Sequence, residues 1–545
     1  MVSRSTGSDT GLAPADRLLL IVTAAATAAW CLASARVLGA TFDEPFYLEA
    51  GLDAWRRGHF KELLAAGTMP LPAHLQTLPL YAIEAVTGRP WVVASDIGAM
   101  LPVARSVTLV FWCVLLIYGM RLAHAVGGPW VGRLALMLIA LDPSFLAHAS
   151  LATSDVALAG SLMAFAYAWR AGRDGRWTRR VGLPAAAFAV ALASKASALS
   201  FGPMVFAAIA IDDWRRGRRL SVRDAAQVFL IGTAVAVVYC GSGGEPSFQG
   251  ILSRMPADHV LRPALAWFGG LPLSPNAFYA LWFQADHNNI GQPTYLIGHE
   301  SARSLWFYVP VLPLIKLPLP TLLLILLALV VPKPRLKAIL TLSTIILMLM
   351  LLIRVQTGIR FLLPLLSFLM IAVALRIVPA IDGLSPARRR RAGAGVAVLL
   401  AWLAVGDARA WPDALRYTNE IWGGPSAGYK VVSDSNYDWG QGLPELAVWR
   451  QEHGEAMIVW YFGTDPRFPE LQRYDPRRDT LDASGERARY LAVSTSLLYG
   501  GYLTASGPGR ELMLRLRERQ PAARTRTFLI FDAAPLYNAG PAAVR

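Results

Sequence analysis

The sequence is poor in charged residues and in cysteine. Only 16% of its 545 residues are Asp, Glu, Lys or Arg, whereas 54% are hydrophobic. Soluble domains carry roughly 25% charged residues, so the composition argues against an ordinary soluble enzyme and against a disordered chain. The cysteines are Cys31, Cys113 and Cys240. All lie in apolar stretches without a CxxC or zinc-ligand spacing, which excludes a disulfide scaffold and a cysteine-based metal site.

Long apolar stretches take the place of the missing charge. A membrane-spanning helix needs about 20 mostly apolar residues, and about eleven stretches meet this requirement. They are 18–38, 101–123, 129–147, 151–169, 181–200, 201–212, 225–241, 306–331, 338–353, 360–379 and 393–410. No small-residue cleavage site follows the first, which predicts an uncleaved transmembrane helix. The segment 71–87 fits either a further span or an amphipathic surface helix.

The formal net charge of +15 comes largely from short basic clusters between these stretches. Such clusters are typical of cytoplasmic loops, so we expect no nucleic-acid partner. The clusters lie within 121–133, 170–180, 215–223, 333–337 and 388–391. They place the N-terminus inside and the following segments outside: 39–100, 142–152, 242–303, 354–360 and everything after about 411.

The tail beyond residue 410 is polar and alternates between strand and helix patterns. The predicted strands are 429–432, 456–462, 490–494 and 527–531, and the predicted helices are 443–452 and 511–518. The sequence therefore predicts a polytopic α-helical membrane domain over 1–410, with outer loops 39–100 and 242–303. A small extracytoplasmic α/β domain follows over 411–545.

Acidic residues stand at the outer ends of two predicted spans. Asp43 and Glu44 follow the first span, and in a helix Tyr47 shares a face with Asp43. Two carboxylates can provide a general base and its electrostatic partner, but acidic residues also suit the first turn of a helix. Asp155 begins the fourth span, where it is either a helix cap or a cavity-facing group.

Four basic residues lie within or at the outer ends of apolar stretches: Arg105, Lys195, Lys316 and Arg360. A cation in hydrocarbon costs roughly 2.5 to 3.5 kcal/mol on insertion scales, so each is expected to find an anion or to reach the interface. Lys195 and Arg360 lie close enough to span ends to snorkel. Lys316 lies deeper among prolines, which predicts a broken helix. The phosphate of a lipid is the expected anion.

The stretch SDSNYDWGQ at 433–441 is dense in side chains that bind hydroxyl groups. Its aromatic, carboxylate and amide groups suit the face of a sugar, yet the same residue types also form Asx turns. Both interpretations stay open. The candidate sugar- or acceptor-binding residues are Asp434, Asn436, Asp438, Trp439 and Gln441, together with Tyr47.

The second long loop contains residue types that bind metals, namely Asp286, His287, His299 and Glu300. Ordinary loop polarity explains them better, so no metal site is predicted and a divalent-metal requirement stays open.

Six segments and their order resemble the GT-C glycosyltransferases, specifically family 39, which includes protein O-mannosyltransferases and bacterial aminoarabinose transferases. The segments are TFDEPFYLEAG (41–51), ARSVTLVF (104–111), LAHASLATSDVAL (146–158), ASKASAL (193–199), LWFYVPVLPLIKLPLP (305–320) and GIRFLLPLL (358–366). The stretch 417–446 is similar to one in bacterial members with an extracytoplasmic tail.

The resemblance implies an inverting transferase of the EC 2.4 class, a hexosyl- or pentosyltransferase, in a bacterial cytoplasmic membrane. Such an enzyme moves a sugar from a polyprenyl-phosphate donor to a hydroxyl of a protein, lipid or glycan acceptor at the outer face. Asp43 matches the family's candidate base, with Glu44 as its partner, and Asp155 helps to build the site. Lys195 and Arg360 match basic positions that contact the donor phosphate, and Lys316 joins them.

One departure concerns the residues after the acidic pair. The aminoarabinose transferases carry an Arg there, whereas this chain has Phe46 before Tyr47. The departure puts the exact donor and acceptor in question.

Two other functions fit part of the pattern. A transporter or flippase of a polyprenyl-linked sugar also has intramembrane charges and proline-broken helices, although the spans show no internal repeat and the long outer loops suit surface chemistry. A non-catalytic subunit that binds glycans through the outer domain is the third hypothesis. It predicts that Asp43, Glu44 and Asp155 are individually dispensable.

Overall fold

The computed structural model shows a predominantly helical protein. It describes residues 11–215, 217–218, 220–242, 251–253, 255–270, 275–331, 353–454, 456–467, 488–500 and 508–537. Within these residues 5 helices are long and apolar enough to cross a membrane, and two bent helix pairs raise the number to as many as 7. The five are α1 (Pro14–Val37), α5 (Val93–Gly127), α11 (Val222–Cys240), the segment Ile359–Asp382 and α17 (Pro386–Ala410).

Other predicted spans correspond to shorter helices. They are α8 (Asp155–Gly172), a π-helical turn (Thr178–Gly182) that continues into α9 (Leu183–Ser194), and α10 (Ala198–Arg215). The predicted boundary between the spans 181–200 and 201–212 is wrong, because the chain breaks earlier, at Lys195, which adopts an extended conformation. The predicted span 338–353 lies almost wholly outside the described residues.

Two spans are bent. Helices α6 (Pro129–Ala140) and α7 (Pro143–Ala149) meet at 65°, and α14 (Tyr308–Lys316) and α15 (Leu319–Val330) meet at 118°. Asp142 caps α7 by accepting a hydrogen bond from the Ser144 amide at 2.9 Å. The second bend confirms the broken helix that the prolines around Lys316 predicted, since proline cannot continue the helical hydrogen bonding.

The first outer segment folds into three helices, α2 (Glu44–Arg57), α3 (Lys61–Ala65) and α4 (Leu71–Thr87). Helix α4 is fastened to its neighbours by the Gln76 amide, which donates to Thr108 Oγ1 at 2.9 Å and to the Thr153 carbonyl at 3.0 Å. Gly51 allows α2 to approach α4 closely, because a Cβ atom there would lie 2.7 Å from the Ala73 carbonyl oxygen. Helices α2, α3 and α4 therefore form a packed layer against α5, on the side that the sequence predicts to be the outer one.

Helices α5, α8 and α9 surround the main apolar core, which includes Trp112, Phe165 and Phe188. Helices α5 and α8 come close at Gly160, where a Cβ atom would lie 2.7 Å from the Phe111 carbonyl oxygen. Helices α8 and α9 run antiparallel, so the beginning of α8 lies beside the end of α9. This pairing brings residues 155 and 195 together.

The chain between α11 and α14 contains α12 (Arg262–Gly269), α13 (Asn276–Ile290) and an antiparallel hairpin, β1 (Thr294–Leu296) with β2 (His299–Ser301). A 3₁₀ turn, Ile359–Leu362, then leads directly into α16 (Leu363–Asp382). The turn matters for the site because it carries Arg360 and Phe361.

The tail folds around a four-stranded sheet with the order β3-β4-β6-β5, in which β3 and β4 are parallel and the other pairs antiparallel. The elements after α17 are α18 (Gly424–Ala427), α19 (Leu443–His453), β3 (Met457–Trp460), β4 (Tyr490–Ser494), α20 (Thr495–Tyr499), α21 (Pro508–Glu518), β5 (Ala523–Arg524), β6 (Phe528–Asp532) and α22 (Ala534–Tyr537).

Three predicted strands and both predicted helices of the tail are confirmed. The predicted strand 429–432 is wrong. Gly428–Lys430 forms a 3₁₀ turn, and Val432 makes only an isolated bridge with Leu296. The local residues favour a strand, but among the described residues only this single bridge to β1 forms, so no ladder extends the segment.

Candidate active site

The end of α1, the start of α8 and the 3₁₀ turn before α16 converge around Asp43. Its Oδ2 atom lies 3.1 Å from Arg360 Nη1 and 3.5 Å from the Tyr47 hydroxyl. Tyr47 occupies the i,i+4 position that the sequence predicted, and burial raises the pKa of its phenol. The Asp43 side chain is 28% exposed. Asp43 is therefore paired with a cation and is still accessible to solvent.

A second ion pair joins Asp155 to Lys195. Asp155 is the first residue of α8 and makes no capping hydrogen bond, since Ser154 occupies the N-cap position. Its buried carboxylate instead binds the Lys195 ammonium, which is 20% exposed. Of the two interpretations that the sequence left open, the helix cap does not occur.

The aromatic ring of Phe361 connects the two ion pairs. Lys195 Nζ lies 4.7 Å from its centroid and Arg360 Cζ lies 5.1 Å from it. The Arg360 guanidinium also lies 4.2 Å from the centroid of Trp439. Cations within about 6 Å of an aromatic centroid are attracted by the ring. Both cations therefore contact the same ring, and Trp439 of the tail contacts one of them.

Electrostatic interactions extend this group. Arg360 interacts with Asp43, Asp155 and Asp434. Asp434 has a positive φ of 57°, a conformation that Asp tolerates better than most residues. Within the SDSNYDWGQ stretch, Trp439 thus contacts the Arg360 guanidinium, and Asp434 interacts with it electrostatically.

Backbone packing explains how the tail reaches Arg360. The Ser435 hydroxyl donates to the Thr357 carbonyl at 2.6 Å. A Cβ atom at Gly358 would lie 2.1 Å from the Ser435 hydroxyl, so only glycine admits this contact. The segment just before Arg360 is therefore in direct contact with the tail.

Glu44 and Arg105 form a separate, fully buried pair. Arg105 donates five hydrogen bonds: two go to the Glu44 carboxylate at 2.8 and 2.6 Å, and three go to the carbonyls of Ala35, Leu38 and Gly39. A guanidinium has five N–H donors, so none is left for a phosphate. The expected role of Arg105 as a donor-phosphate ligand does not fit this geometry.

Glu44 is equally occupied. It accepts hydrogen bonds from the Thr41 amide and the Ala152 amide, each at 2.8 Å, in addition to those from Arg105. Burial raises the pKa of Glu44, but Arg105 and these amides outweigh burial and hold it below its ordinary value. Glu44 faces Arg105 rather than Asp43, so it fixes the turn between α1 and α2 and is not placed as the partner of the base.

Lys316 has likewise used all its donors. Its ammonium donates to the carbonyls of Leu415, Tyr417 and Asn436 at 2.8, 2.6 and 2.7 Å. Lys316 is 1% exposed, and an ammonium has only three N–H groups. The residue fastens the tail to the bend between α14 and α15, and the expected contact with a donor phosphate does not fit.

Asn436 and Gln441 of the SDSNYDWGQ stretch make hydrogen bonds within the protein. The Asn436 side chain accepts from the Ile359 amide and donates to the Tyr308 hydroxyl, both at 2.8 Å. Gln441 accepts from the Trp439 amide at 2.7 Å and donates to Asp413 Oδ2 at 3.0 Å. The amides of Asn436 and Gln441 are thus hydrogen-bonded within the protein, and their binding of a sugar stays a prediction.

Asp438 lies inside the tail domain. Its carboxylate accepts from the Ser494 hydroxyl, from the Ser496 amide at 3.1 Å and from the Gly440 amide at 3.2 Å. Burial raises the pKa of Asp438 to about 6, although these donors partly oppose the shift. The residue is completely buried and joins the stretch to β4, so it too is not placed as a sugar ligand.

Sequence reasoning missed Phe361 and His148. The His148 ring is fully buried, lies 6.4 Å from the Trp439 ring, and neither nitrogen has a hydrogen-bond partner among the described residues. Asp155 and Arg360 interact with it electrostatically. A histidine just after the Asp-Pro break in an apolar stretch was the available signal. Phe361 carries no such signal, because its role depends on two cations that are distant in sequence.

The loop residues considered as metal ligands have other neighbours. Glu300 pairs with Arg517 at 2.6 Å, and the His299 ring packs edge-on against Phe307 at 5.4 Å. Within the described residues, no group of three or more His, Cys, Asp or Glu side chains is placed to hold a metal ion.

No family model and no curated protein matches the chain. Among solved structures it is similar to ArnT from Cupriavidus metallidurans bound to undecaprenyl phosphate, with 14% identity, a TM-score of 0.47, and 95% of this chain and 98% of that chain covered. It is also similar to the apo state of the same protein, with 14% identity, a TM-score of 0.47, and 97% and 100% covered.

Proposed function

We propose that the chain is an inverting glycosyltransferase that moves a sugar from a polyprenyl-phosphate donor to an acceptor hydroxyl at the outer face of the membrane. One observation carries the proposal: an accessible carboxylate, Asp43, pairs with Arg360, and Arg360 and Lys195 both contact the ring of Phe361. A base and a phosphate-binding pair are the two components that this reaction needs.

The charge balance of the reaction suits the two cations. The donor is a phosphodiester with one negative charge, and the departing polyprenyl phosphate is a monoester with a second, developing charge. Cations that contact this phosphate stabilise the leaving group more than the bound donor, which lowers the barrier. Phosphate is a good leaving group, so no general acid is required.

Asp43 is suited to act as the base. Its Oδ2 atom faces Arg360 and Tyr47. The other carboxylate oxygen has no hydrogen bond in the part of the chain that the structure describes. In the proposed step the acceptor oxygen bonds to the anomeric carbon as the bond from that carbon to phosphate breaks. The acceptor proton goes to Asp43, and the electron pair leaves with the phosphate.

The ion pairs also suggest how donor binding prepares the base. Asp43 neutralises Arg360, and Asp155 neutralises Lys195. A donor phosphate competes with both carboxylates for the cations. Once Arg360 turns to the phosphate, Asp43 loses its counter-ion and becomes a stronger base. Trp439 limits this movement by holding the guanidinium plane.

A test begins with a strain that lacks the protein. Mass spectrometry of its lipid-linked and envelope glycans should reveal an accumulated polyprenyl-phosphate sugar and a missing product. The purified full chain should then form that product in detergent from the same donor and an envelope acceptor. Movement of the donor across sealed vesicles without product in detergent would indicate a transporter instead, and glycan binding without turnover would indicate a non-catalytic subunit.

A further inference from the structure

A second candidate site lies at the opposite end of α8 from Asp155. Helix α8 has 18 residues, so its ends are about 27 Å apart at 1.5 Å per residue. At the far end is a cavity of about 800 Å³. It is an open cavity lined by the end of α8, the π-helical turn, and the beginning of α11 with the chain just before it. The predicted orientation places this end at the cytoplasmic leaflet.

We propose that this cavity binds a phosphate-bearing anion, as presented by the headgroup of an anionic phospholipid. The inference is independent of the proposed transferase activity, because it uses none of the residues around Asp43.

The backbone at the cavity is closely fitted. A Cβ atom at Gly172 would lie 2.0 Å from the Arg179 carbonyl oxygen, so glycine is required where the end of α8 meets the π-helical turn. Single π-helical turns are rare and frequently occur at functional sites. The turn directs Trp177 and Arg180 to the cavity wall.

The wall carries excess positive charge. Four arginines and two aspartates line it. Arg180 pairs with Asp224 at 2.9 Å, and Arg173 pairs with Asp213. Arg223 has no ion-pair partner among the described residues, and Arg218 approaches Asp213, which is already paired, only to 3.8 Å. Arg218 and Arg223 are thus the arginines best able to bind an added anion.

An unsatisfied donor points to the same ligand. Trp169 lines the cavity and is 6% exposed, and its indole N–H has no hydrogen-bond partner among the described residues. A buried donor without an acceptor is costly, and a phosphate oxygen in the cavity would satisfy it. The Trp177 indole N–H, in contrast, donates to Gln227 Oε1 at 3.2 Å.

A phospholipid fits the surroundings better than a small anion alone. Tryptophan is enriched where protein crosses the membrane–water interface, since its ring suits the headgroup level. Basic pockets between transmembrane helices on the cytoplasmic side bind anionic headgroups. The segments 170–180 and 212–224 together contain ten arginines and four aspartates, which attract such lipids to the cavity.

The test measures binding to the full chain in detergent by native mass spectrometry. The probes are dioctanoyl-phosphatidylglycerol, dioctanoyl-phosphatidylcholine and inorganic phosphate. The variant R218Q/R223Q removes two charges at the cavity. The matched control R390Q/R391Q removes two exposed charges at the beginning of α17, on the same predicted side. We expect about tenfold weaker phosphatidylglycerol binding for the cavity variant and less than about a twofold change for the control.

A third variant, Trp169→Phe, keeps the ring and removes only the N–H donor. It should weaken phosphatidylglycerol binding without altering elution or thermal stability, and it keeps the proposal testable if the arginine variant fails to fold. If inorganic phosphate competes with phosphatidylglycerol, the cavity recognises phosphate alone. If it does not compete, the cavity recognises the lipid. The proposal would be overturned if phosphatidylcholine bound as well as phosphatidylglycerol, or if the two double variants lost binding equally. It would also be overturned if neither phosphatidylglycerol nor inorganic phosphate bound.

Discussion

Two sets of charged residues lie near the predicted outer end of the helices and differ in how completely they are hydrogen-bonded. Arg105 and Lys316, with the Glu44 partner of Arg105, form the saturated set. Both cations are 1% exposed, and every N–H group of their charged groups donates to a protein oxygen. Arg360 and Lys195, with their partners Asp43 and Asp155, form the exchangeable set. Both cations are partly exposed, and an anionic ligand could compete with each carboxylate. Depth alone therefore does not decide which cation is available to a ligand; the number of its unused or exchangeable donors does.

The largest expected effect is the loss of turnover when Asp43 of the exchangeable set is replaced. Replacing Asp43→Asn removes the base but keeps the shape, so transfer should fall by about 10²- to 10⁴-fold. Donor binding and thermal stability should persist, because the side chain is partly exposed. The measurement is product formation from the polyprenyl-phosphate sugar in detergent.

The matched control is Asp53→Asn, which alters another carboxylate of the segment predicted to lie outside. Among the described residues, Asp53 pairs with Arg56 and Arg57. It should leave turnover unchanged. Full activity of the Asp43→Asn protein would remove the distinction between the two sets and the proposed base with it.

Substitutions in the saturated set should lower stability and leave turnover nearly unchanged. Replacing Arg105→Gln leaves the buried Glu44 carboxylate without its counter-ion, and breaking a buried pair costs about 3 to 5 kcal/mol. We expect a much lower unfolding temperature and poor yield, with near-normal turnover for each molecule that stays folded. Thermal unfolding in detergent, combined with active-site-normalised rates, measures both.

Arg56→Gln is the control for this change. Arg56 pairs with Glu84 at 2.7 Å, but its side chain is 30% exposed, and such surface pairs contribute at most about 1 kcal/mol. Equal destabilisation by the two substitutions would contradict the role assigned to Arg105. Loss of turnover in folded Arg105→Gln protein would return this residue to the proposed site.

A subtler change separates charge from shape at Arg360. Arg360→Lys keeps the positive charge but loses the planar group that stacks on Trp439 and the second donor towards Thr357. We expect kcat/KM to fall by about tenfold, since lysine binds phosphate as a point charge. Arg354→Lys, an exposed arginine of the same outer segment, should behave like the unaltered protein. An unchanged rate for Arg360→Lys would mean that the ordered guanidinium plane has no part in catalysis.

The sequence was sufficient to predict where the exchangeable charges meet. The i,i+4 spacing placed Tyr47 on the face of Asp43, and the span ends placed Asp155, Lys195 and Arg360 at one membrane boundary. The alternation of apolar stretches and basic loops predicted the helical architecture, and the strand and helix patterns predicted most of the tail.

The saturation of Arg105 and Lys316 was not predictable, because most of their partners are backbone carbonyls. The carbonyls of Leu38 and Leu415, for example, carry no side-chain signature, and only the bends of the chain turn them towards a cation. The same limitation applies to Asn436 and Gln441, whose amides suit a sugar as well as they suit a turn. Local patterns specify the residue type, whereas tertiary structure decides which donors are already used.

The smallest expected effect concerns Asp438, a buried carboxylate that has hydroxyl and amide donors but no cation partner among the described residues. Burial raises its pKa to about 6 from an ordinary 3.8, so folding favours the protonated form. Its contribution to stability is therefore fully present below about pH 3.8 and is lost as the pH rises through about 6. Between pH 5 and pH 7 the free energy of unfolding should fall by about 1 kcal/mol from this group, at 1.36 kcal/mol per unit of pKa shift.

Asp438→Asn should flatten that pH dependence, because the amide stays neutral and its oxygen still accepts the hydrogen bond from the Ser496 amide. The comparison of unfolding temperatures at pH 5 and pH 7 must be made between the variant and the unaltered protein. The pKa of Asp413, which binds Gln441, is also raised by burial, so its contribution has the same sign in both proteins and cancels in the comparison. An unchanged slope would mean that Asp438 is charged when folded, and that its hydroxyl and amide donors stabilise it as fully as a guanidinium stabilises Glu44.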